Sequence, residues 1–200
     1  MRFTDYKDTQ ITERHLHHRN VYDLISQSWA TRLRNISEKS LLATEIKSEM
    51  RPLSVVNDVD LSKYAGIWYE IAAYPRRIHN DHFGTTVEYT LAENGRVLVK
   101  NSYYKGGPYG EQLHTSKMAF VKKNSRNAKL EMQTIWPFKT KYWIVGLAEN
   151  YSYALISHPG KKYLWVLSRT RKISHDDYLQ IIETLKENDF NPKELIITPQ

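Results

Sequence analysis

Four basic side chains stand close together just after the run GIWYEIAAYP, at Arg76, Arg77, His79 and His82. Guanidinium and imidazolium groups grouped in this way can pair with a carboxylate or a phosphate. We therefore regard these four residues as a candidate site for the charged head of a ligand. An ordinary solvated loop has the same composition, and the sequence leaves both interpretations open.

The same run carries one acid, Glu70, among apolar residues. A carboxyl group buried beside a tyrosine could act as an acid or base in an enzyme that isomerises or hydrolyses a bound lipid. No Ser-His-Asp order, GxSxG motif or HExxH motif accompanies it. We predict no catalytic residue and no enzyme activity.

Metal chemistry has one candidate, the stretch HLHHR, in which His15 and His18 are three residues apart. No other ligands lie nearby in the sequence, so we predict no metal site and no cofactor. The sequence contains no cysteine. Disulfides, cysteine-ligated zinc, cysteine nucleophiles and a lipid-modified N-terminal cysteine are therefore not expected.

The net charge of the 200-residue chain is +7, and most of the surplus falls after residue 58. Anionic membrane surfaces and nucleic acids both attract such a protein, whereas a merely soluble basic surface needs no partner. The Lys and Arg residues are dispersed and no nucleic-acid-binding motif is present, so we predict no nucleic-acid partner. Peripheral membrane contact remains as an alternative.

Residues 1–53 differ from the rest of the chain, since they are rich in Ser, Thr, His and charge and contain no Gly. We expect no secretory signal at their start and no membrane-spanning segment, because no long apolar window occurs. One stretch has apolar residues at helical spacing, namely Val21, Leu24, Ile25, Trp29, Leu33 and Ile36. This pattern predicts either a helix that lies on a membrane or caps the main domain, or a loosely held extension that is partly helical or disordered.

After Pro52 the sequence consists of short runs rich in β-branched and aromatic residues, separated by turn signals. Eight runs predict strands, at residues 66–74, 83–92, 96–104, 113–122, 128–136, 140–148, 152–158 and 162–170. Ser174 is a good N-cap for a following helix whose apolar stripe includes Tyr178 and Leu185. We predict an all-β domain over residues 54–200, an eight-stranded antiparallel up-and-down barrel with the C-terminal helix packed outside it, after an extension over residues 1–53.

Strand alternation assigns the residues that face into such a barrel. If Lys100 and Lys117 point to water, the inward set mixes small, aromatic and polar groups, which favours a ligand cavity over a filled core. The predicted cavity lining comprises Glu70, Ala72, Tyr74, Val87, Tyr89, Val99, Asn101, Tyr103, Ser116, Met118, Met132, Trp136, Tyr142, Ile144 and Trp165.

The motif GIWYE with Gly66 and Trp68, followed by eight strands and by Arg169 at the end of YLWVLSRT, resembles the lipocalin family. The resemblance extends from Leu53 to the end of the sequence. Within the family, the sequence is similar to the branch of bacterial outer-membrane lipocalins, apolipoprotein D and plant temperature-induced lipocalins. It implies that Trp68 plugs the closed end of the barrel beneath Arg169, and that Gly66 permits their close approach. These three residues would be structural. The sequence departs from the family in having Ala148-Glu149 where Thr-Asp is usual.

The resemblance also implies a function, namely binding and carriage of a small lipophilic ligand, a fatty acid or a lysophospholipid, in membrane maintenance or stress response. The protein would be a monomer or a homodimer. The outer membrane, the periplasm or another membrane-associated location is implied, but the expected lack of a signal and of an anchor cysteine leaves the compartment open. The alternatives are an interaction protein that acts through residues 1–53 and, less favoured, a lipid-modifying enzyme.

Overall fold

The computed structural model describes residues 52–75, 81–135 and 137–200, and for residues 134 and 135 it describes the backbone alone. A single-turn helix α1 (Leu61–Tyr64) precedes a run of strands, and a longer helix α2 (His175–Glu187) follows them. The strands are β1 (Gly66–Ala73), β2 (His82–Leu91), β3 (Arg96–Lys105), β4 (Glu111–Val121), β5 (Lys129–Ile135), β6 (Phe138–Leu147), β7 (Tyr153–Ser157), β8 (Leu164–Ser168) and β9 (Ile196–Ile197). None of the helices in these ranges combines the length and the hydrophobicity that a transmembrane helix needs.

Strands β1 to β8 form a closed antiparallel barrel. Each strand pairs with its neighbour in the chain, and β1 pairs with both β2 and β8. The Asn-Gly turn between β2 and β3 has Asn94 at φ 62° and Gly95 at φ 69°, the left-handed conformations that a tight hairpin requires. The predicted barrel with its C-terminal helix is confirmed, whereas residues 1–51 lie outside the described residues and the domain division at residue 53 stays a prediction.

The barrel wall separates two apolar cores because side chains alternate across it. Leu155 belongs to the outer core, which lies between the sheet and α2, and Ile156 belongs to the inner core. Ser174 caps α2 by accepting a hydrogen bond from the Asp177 N–H at 3.1 Å. At Gly146 a Cβ would stand 2.8 Å from the Leu155 side chain and 3.1 Å from the Thr184 side chain, so glycine permits the close approach of helix and sheet.

The C-terminal strand fills a split between β1 and β2. These strands pair only from Gly66 to Tyr69, beyond which β1 pairs with β9. The Gly84 N–H donates to the Pro199 carbonyl at 2.7 Å. The side-chain amide of Gln200 donates to the Glu70 carbonyl at 2.7 Å and to the Thr85 carbonyl at 3.3 Å. The segment therefore bridges the two strands where they diverge.

The prediction that Ala72 and Tyr74 face into the barrel is wrong. The pairing of β1 with β8 shifts register between Glu70 and Ala72, and this bulge reverses the faces of the residues that follow. Ala72 and Tyr74 belong to the outer core. The Tyr74 hydroxyl donates to the Asn191 carbonyl and accepts from the Asn191 N–H, at 3.2 Å and 2.9 Å.

The prediction that Ser116 and Met118 face inward is also wrong, because it assumed that Lys117 points to water. Lys117 stands directly opposite Val99, which is buried in the inner core, so the two side chains share the inner face. In the described strands β4 pairs with β5 only between Ala119 and Val121. A lysine just before this pairing begins can project inward and still keep its ammonium group in water.

Candidate functional site

The closed end of the barrel is built around Trp68, whose side chain is fully buried. Its indole Nε1 donates to the Tyr64 carbonyl at 2.8 Å, and the guanidinium carbon of Arg169 lies 3.8 Å from the ring centroid. Arg169 also donates to the carbonyls of four residues, Lys63, Tyr64, Ala65 and Ile67, at 2.5 to 3.2 Å. Cation–π attraction and charge-assisted hydrogen bonds thus tie α1 and β1 to the end of β8.

Gly66 has φ at 93°, in the region that favours glycine, and a Cβ there would stand 3.5 Å from the Arg169 guanidinium. Its backbone therefore passes under the Arg169 side chain without strain.

Three tyrosines form a layer above this plug. The rings of Tyr64 and Tyr89 lie 4.9 Å apart, and the hydroxyls of Tyr89 and Tyr142 are 2.5 Å apart and share a hydrogen bond. Burial raises the pKa of Tyr64 and of Tyr89 well above the ordinary value of 10.0. Both hydroxyls therefore stay neutral even above pH 10. The layer separates the plug from the space above it.

A cavity of about 310 Å³ occupies the barrel above the tyrosine layer. Apolar and aromatic groups form one part of its wall, and polar or charged groups form the rest. The lining residues are Glu70, His82, Thr85, Val87, Asn101, Tyr103, Thr115, Lys117, Met132, Tyr142, Trp165 and Leu167. A concave, mixed surface with few charges is typical of a site for a small amphiphilic molecule.

The predicted lining residues fall into four groups. Seven of them line the cavity: Glu70, Val87, Asn101, Tyr103, Met132, Tyr142 and Trp165. Tyr89, Val99 and Ile144 lie in the inner core without lining the cavity, whereas Ala72, Tyr74, Ser116 and Met118 lie on other faces, as described above. Trp136 lies outside the described residues.

Sequence reasoning missed four lining residues, namely Thr85, Thr115, Lys117 and Leu167. The signal for Leu167 was present, because it is two residues from Trp165 on the same strand. Thr115 and Lys117 were missed because the sequence analysis assigned the opposite face of β4 to the barrel interior. Thr85 follows Gly84, within an irregularity of the β2–β3 pairing that the sequence does not announce.

Three titratable groups mark different parts of the cavity. Glu70 accepts a hydrogen bond from the Thr198 hydroxyl at 3.0 Å. His82 stacks on Tyr103 with ring centroids 3.6 Å apart, and its Nε2 lies 3.8 Å from Asp81. Lys117 comes from β4, which β2 and β3 separate from β1 in the sheet.

Of the four residues predicted to bind a charged head group, His82 lines the cavity. The other three, Arg76, Arg77 and His79, lie outside the described residues. Lys117 adds a cation to this wall that the sequence analysis did not assign. An apolar chain against Trp165 and Leu167 and an anion near Lys117 would both find suitable surroundings here.

Comparisons with known proteins agree with this geometry. The family model of the Lipocalin-like domain matches residues 59–200. Temperature-induced lipocalin-1 of Arabidopsis thaliana is 30% identical over 159 residues, which cover 76% of this chain and 86% of the plant protein. Outer membrane lipoprotein Blc of Vibrio cholerae is 33% identical over 146 residues, which cover 72% of this chain and 85% of the bacterial protein.

Among solved structures, insecticyanin from the tobacco hornworm Manduca sexta matches with a TM-score of 0.62 and 22% identity, covering 75% of this chain and 85% of insecticyanin. At that identity the match shows the fold alone. Together with the matched family model and the two relatives, the closed eight-stranded barrel and its plug lead to one conclusion: the chain belongs to the lipocalin family.

Proposed function

We propose that this lipocalin binds a single-chain anionic amphiphile, a fatty acid or a lysophospholipid, in the barrel cavity and carries it. The coarser part of this proposal follows from the family, since lipocalins bind small hydrophobic ligands. A role in membrane maintenance or stress response stays a prediction. The observation that supports the finer part is the pairing of an apolar wall with an inward-facing lysine in one cavity.

The size and apolar wall of the cavity favour one acyl chain. Ligand pockets usually measure roughly 300–1,000 Å³, and about 310 Å³ is at the lower end of this range. Trp165, Tyr142, Met132, Val87 and Leu167 offer apolar contacts. Each methylene removed from water contributes about 0.8 kcal/mol, so even part of an acyl chain gains substantial affinity here. A lipid with two acyl chains would exceed the space.

The charges favour an anionic head on the β4 side. The Lys117 ammonium forms no ion pair with an acid within the part of the chain that the structure describes. Glu70 would repel an anion, but it projects from β1, on the far side of β2 and β3. Lys117 is an exposed residue that lines the cavity, so its ammonium group can meet a carboxylate or a phosphate without losing contact with water.

Glu70, the acid that an enzyme would need, already accepts a hydrogen bond from the Thr198 hydroxyl on the segment that closes the split between β1 and β2. This contact supports a structural role for the carboxylate. We therefore propose binding without catalysis.

The experiment that tests the proposal is a fluorescence titration, because Trp165 lines the cavity and would report occupancy. Palmitate, a lysophospholipid and hexadecanol would each be added to the full chain. We expect palmitate to bind more tightly than hexadecanol. The substitution Lys117→Gln should lower palmitate affinity by about threefold to fivefold and leave hexadecanol affinity nearly unchanged, since an ion pair at an exposed lysine contributes up to about 1 kcal/mol.

The matched control is Lys100→Gln, because Lys100 stands opposite Ser116 on the outer face of the neighbouring strand. It should change neither affinity. Native mass spectrometry of the purified protein, with solvent extraction, would identify any bound lipid. A barrel that carries no lipid and whose fluorescence responds to none of the three probes would refute the proposal.

A further inference from the structure

Three loops of the barrel each carry an exposed aromatic side chain. Tyr109 lies between β3 and β4 and is 100% exposed, Phe138 begins β6 and is 71% exposed, and Tyr163 lies between β7 and β8 and is 43% exposed. Exposed aromatic side chains cost solubility, and a repeated pattern of them marks an interaction surface more often than a scattered single residue does.

These loops lie at the same end of the barrel. In an up-and-down barrel every second connection returns to the same rim, so the connections after β1, β3, β5 and β7 share one end. The Gly106 N–H, in the connection after β3, donates to the carbonyl of Asp81, just before β2, at 2.8 Å. His82 and Tyr103, which line the cavity, stand next to these connections. The aromatic rim therefore surrounds the cavity mouth.

The opposite end has a different character. In the described ranges, the exposed large hydrophobic residues nearest the closed end are Ile67, Leu91 and Leu98, which are aliphatic and lie within strands. The loops of both ends carry basic residues, so positive charge by itself does not select one end. What distinguishes the mouth in the described ranges is an exposed aromatic residue at three of its four connections.

Lys105 ends β3, four residues before Tyr109, and Lys162 directly precedes Tyr163. The ammonium group of Lys139 lies instead against the barrel wall, 4.4 Å from the centroid of the Phe120 ring and 4.0 Å from the Glu131 carboxylate. Tyr is enriched at the headgroup level of a bilayer, where its amphipathic ring is only partly dehydrated, and Phe is among the residues that interfacial segments bury at the boundary between headgroups and acyl chains. Lysines beside them gain further attraction from anionic lipids, about 1 kcal/mol for each lysine near the surface. Aromatic tips flanked by lysines thus complement a lipid surface better than they complement an ordinary protein surface.

We propose that the rim formed by the loops that contain Tyr109, Phe138 and Tyr163 docks on an anionic lipid bilayer. Docking would place the cavity mouth against the headgroups, so that an acyl chain could pass between bilayer and barrel without crossing bulk water. The docking surface does not depend on which ligand the cavity takes, and it can be tested with no ligand added.

The test is co-sedimentation of the full chain with vesicles of phosphatidylcholine and phosphatidylglycerol, compared with phosphatidylcholine alone. We expect binding to the anionic vesicles that weakens as salt is raised, because salt screens the lysines. The double substitution Tyr109→Ser with Phe138→Ser should lower vesicle affinity by roughly tenfold or more, since two aromatic contacts are lost. The matched control, Leu91→Ser with Leu98→Ser, changes exposed residues away from the mouth and should leave vesicle affinity as it is.

Two single-cysteine probes locate the contact directly, because the sequence contains no cysteine of its own. An environment-sensitive dye attached to the Tyr109→Cys variant should shift its emission to the blue with vesicles and be quenched by brominated lipid, whereas the same dye on the Leu91→Cys variant should not respond. Failure of the unaltered chain to bind vesicles would overturn the proposal. So would equal binding by the Tyr109 and Phe138 double variant, which would assign any membrane contact to another part of the chain, such as residues 1–53.

Discussion

The closed end of the barrel and its cavity half use similar side chains for opposite purposes. At the closed end, Trp68 and Arg169 donate hydrogen bonds to backbone carbonyls and leave no space between them. In the cavity half, Trp165 and Tyr142 are comparable in size but stand against a space of about 310 Å³. The difference teaches that residue type alone does not decide whether a small barrel is filled or hollow. The partner of each aromatic side chain decides it.

The strongest way to break this comparison is to remove one indole from each half. Trp68→Ala should lower the free energy of unfolding by about 3–5 kcal/mol, because it deletes a fully buried side chain and the support for Arg169. Trp165→Ala, at the cavity wall, should cost clearly less, about 2 kcal/mol or less, because the cavity already leaves one face of the ring without packing. Urea unfolding followed by circular dichroism measures both. Equal losses would show that the two halves share the stability evenly.

Alkaline pH sharpens the comparison, because tyrosines shielded from water resist ionisation. Burial raises the pKa of Tyr74 to about 12, and burial raises the pKa of Tyr64 and Tyr89 well above 10.0. In the unfolded chain each tyrosine loses its proton near pH 10. The stability that these neutral hydroxyls contribute is therefore fully present below pH 10 and is lost as pH rises from about 10 through 12.

The measurement is the free energy of unfolding from pH 8 to pH 12. Tyr74→Phe should make the decline of this free energy with rising pH less steep, by an amount that corresponds to at most about one proton. The reason is that one group no longer titrates differently in the folded and unfolded states. Val166→Ala is the matched control, because it removes packing from the same outer core without removing a titrating group, and it should leave the slope unchanged. A Tyr74→Phe slope identical to that of the unaltered chain would argue that Tyr74 ionises freely in the folded protein.

The smallest expected effect concerns Thr85 in the cavity half. Its hydroxyl is buried and has no hydrogen-bond partner within the described part of the chain. Thr85→Val keeps the shape and removes the polar atom, so it should leave stability unchanged or raise it by about 1 kcal/mol. Thermal unfolding beside Thr86→Val, on the outer face of the same strand, provides the measurement. A clear loss of stability at Thr85 alone would mean that its hydroxyl makes an important contact.

The sequence predicted the barrel, the helix and the plug well, because these depend on strong local signals. Alternating strands, the Asn94-Gly95 turn and the Ser174 cap each act over a few residues. The cavity lining was predicted less well, because it depends on which face of each strand points into the barrel. The inward face changes wherever a bulge adds one residue to a strand. The bulge after Glu70 moved Ala72 and Tyr74 into the outer core, and no residue type announces it.

The predicted orientation of Lys117 was wrong for a different reason. The rule that a lysine points to water is sound, but it assumes that only the outer face of a barrel meets water. Where β4 and β5 pair over a short stretch, the inner face meets water as well. The residue that best suits an anionic ligand was therefore the one that the rule removed from the candidate site.

The segment after α2 has a consequence for how the barrel folds. The contact between Gln200 and the Glu70 carbonyl joins residues 130 positions apart, and β9 pairs with β1 in the same region. The hairpins β2–β3 and β3–β4, by contrast, join residues close in sequence and have no long loop to close. Long loops must be closed before such distant contacts can stabilise the fold. We therefore expect the hairpins to form first and the pairing of β1 with β9 to form last. The wall of the cavity beside Glu70 would then be the last part of the binding site to take shape during folding.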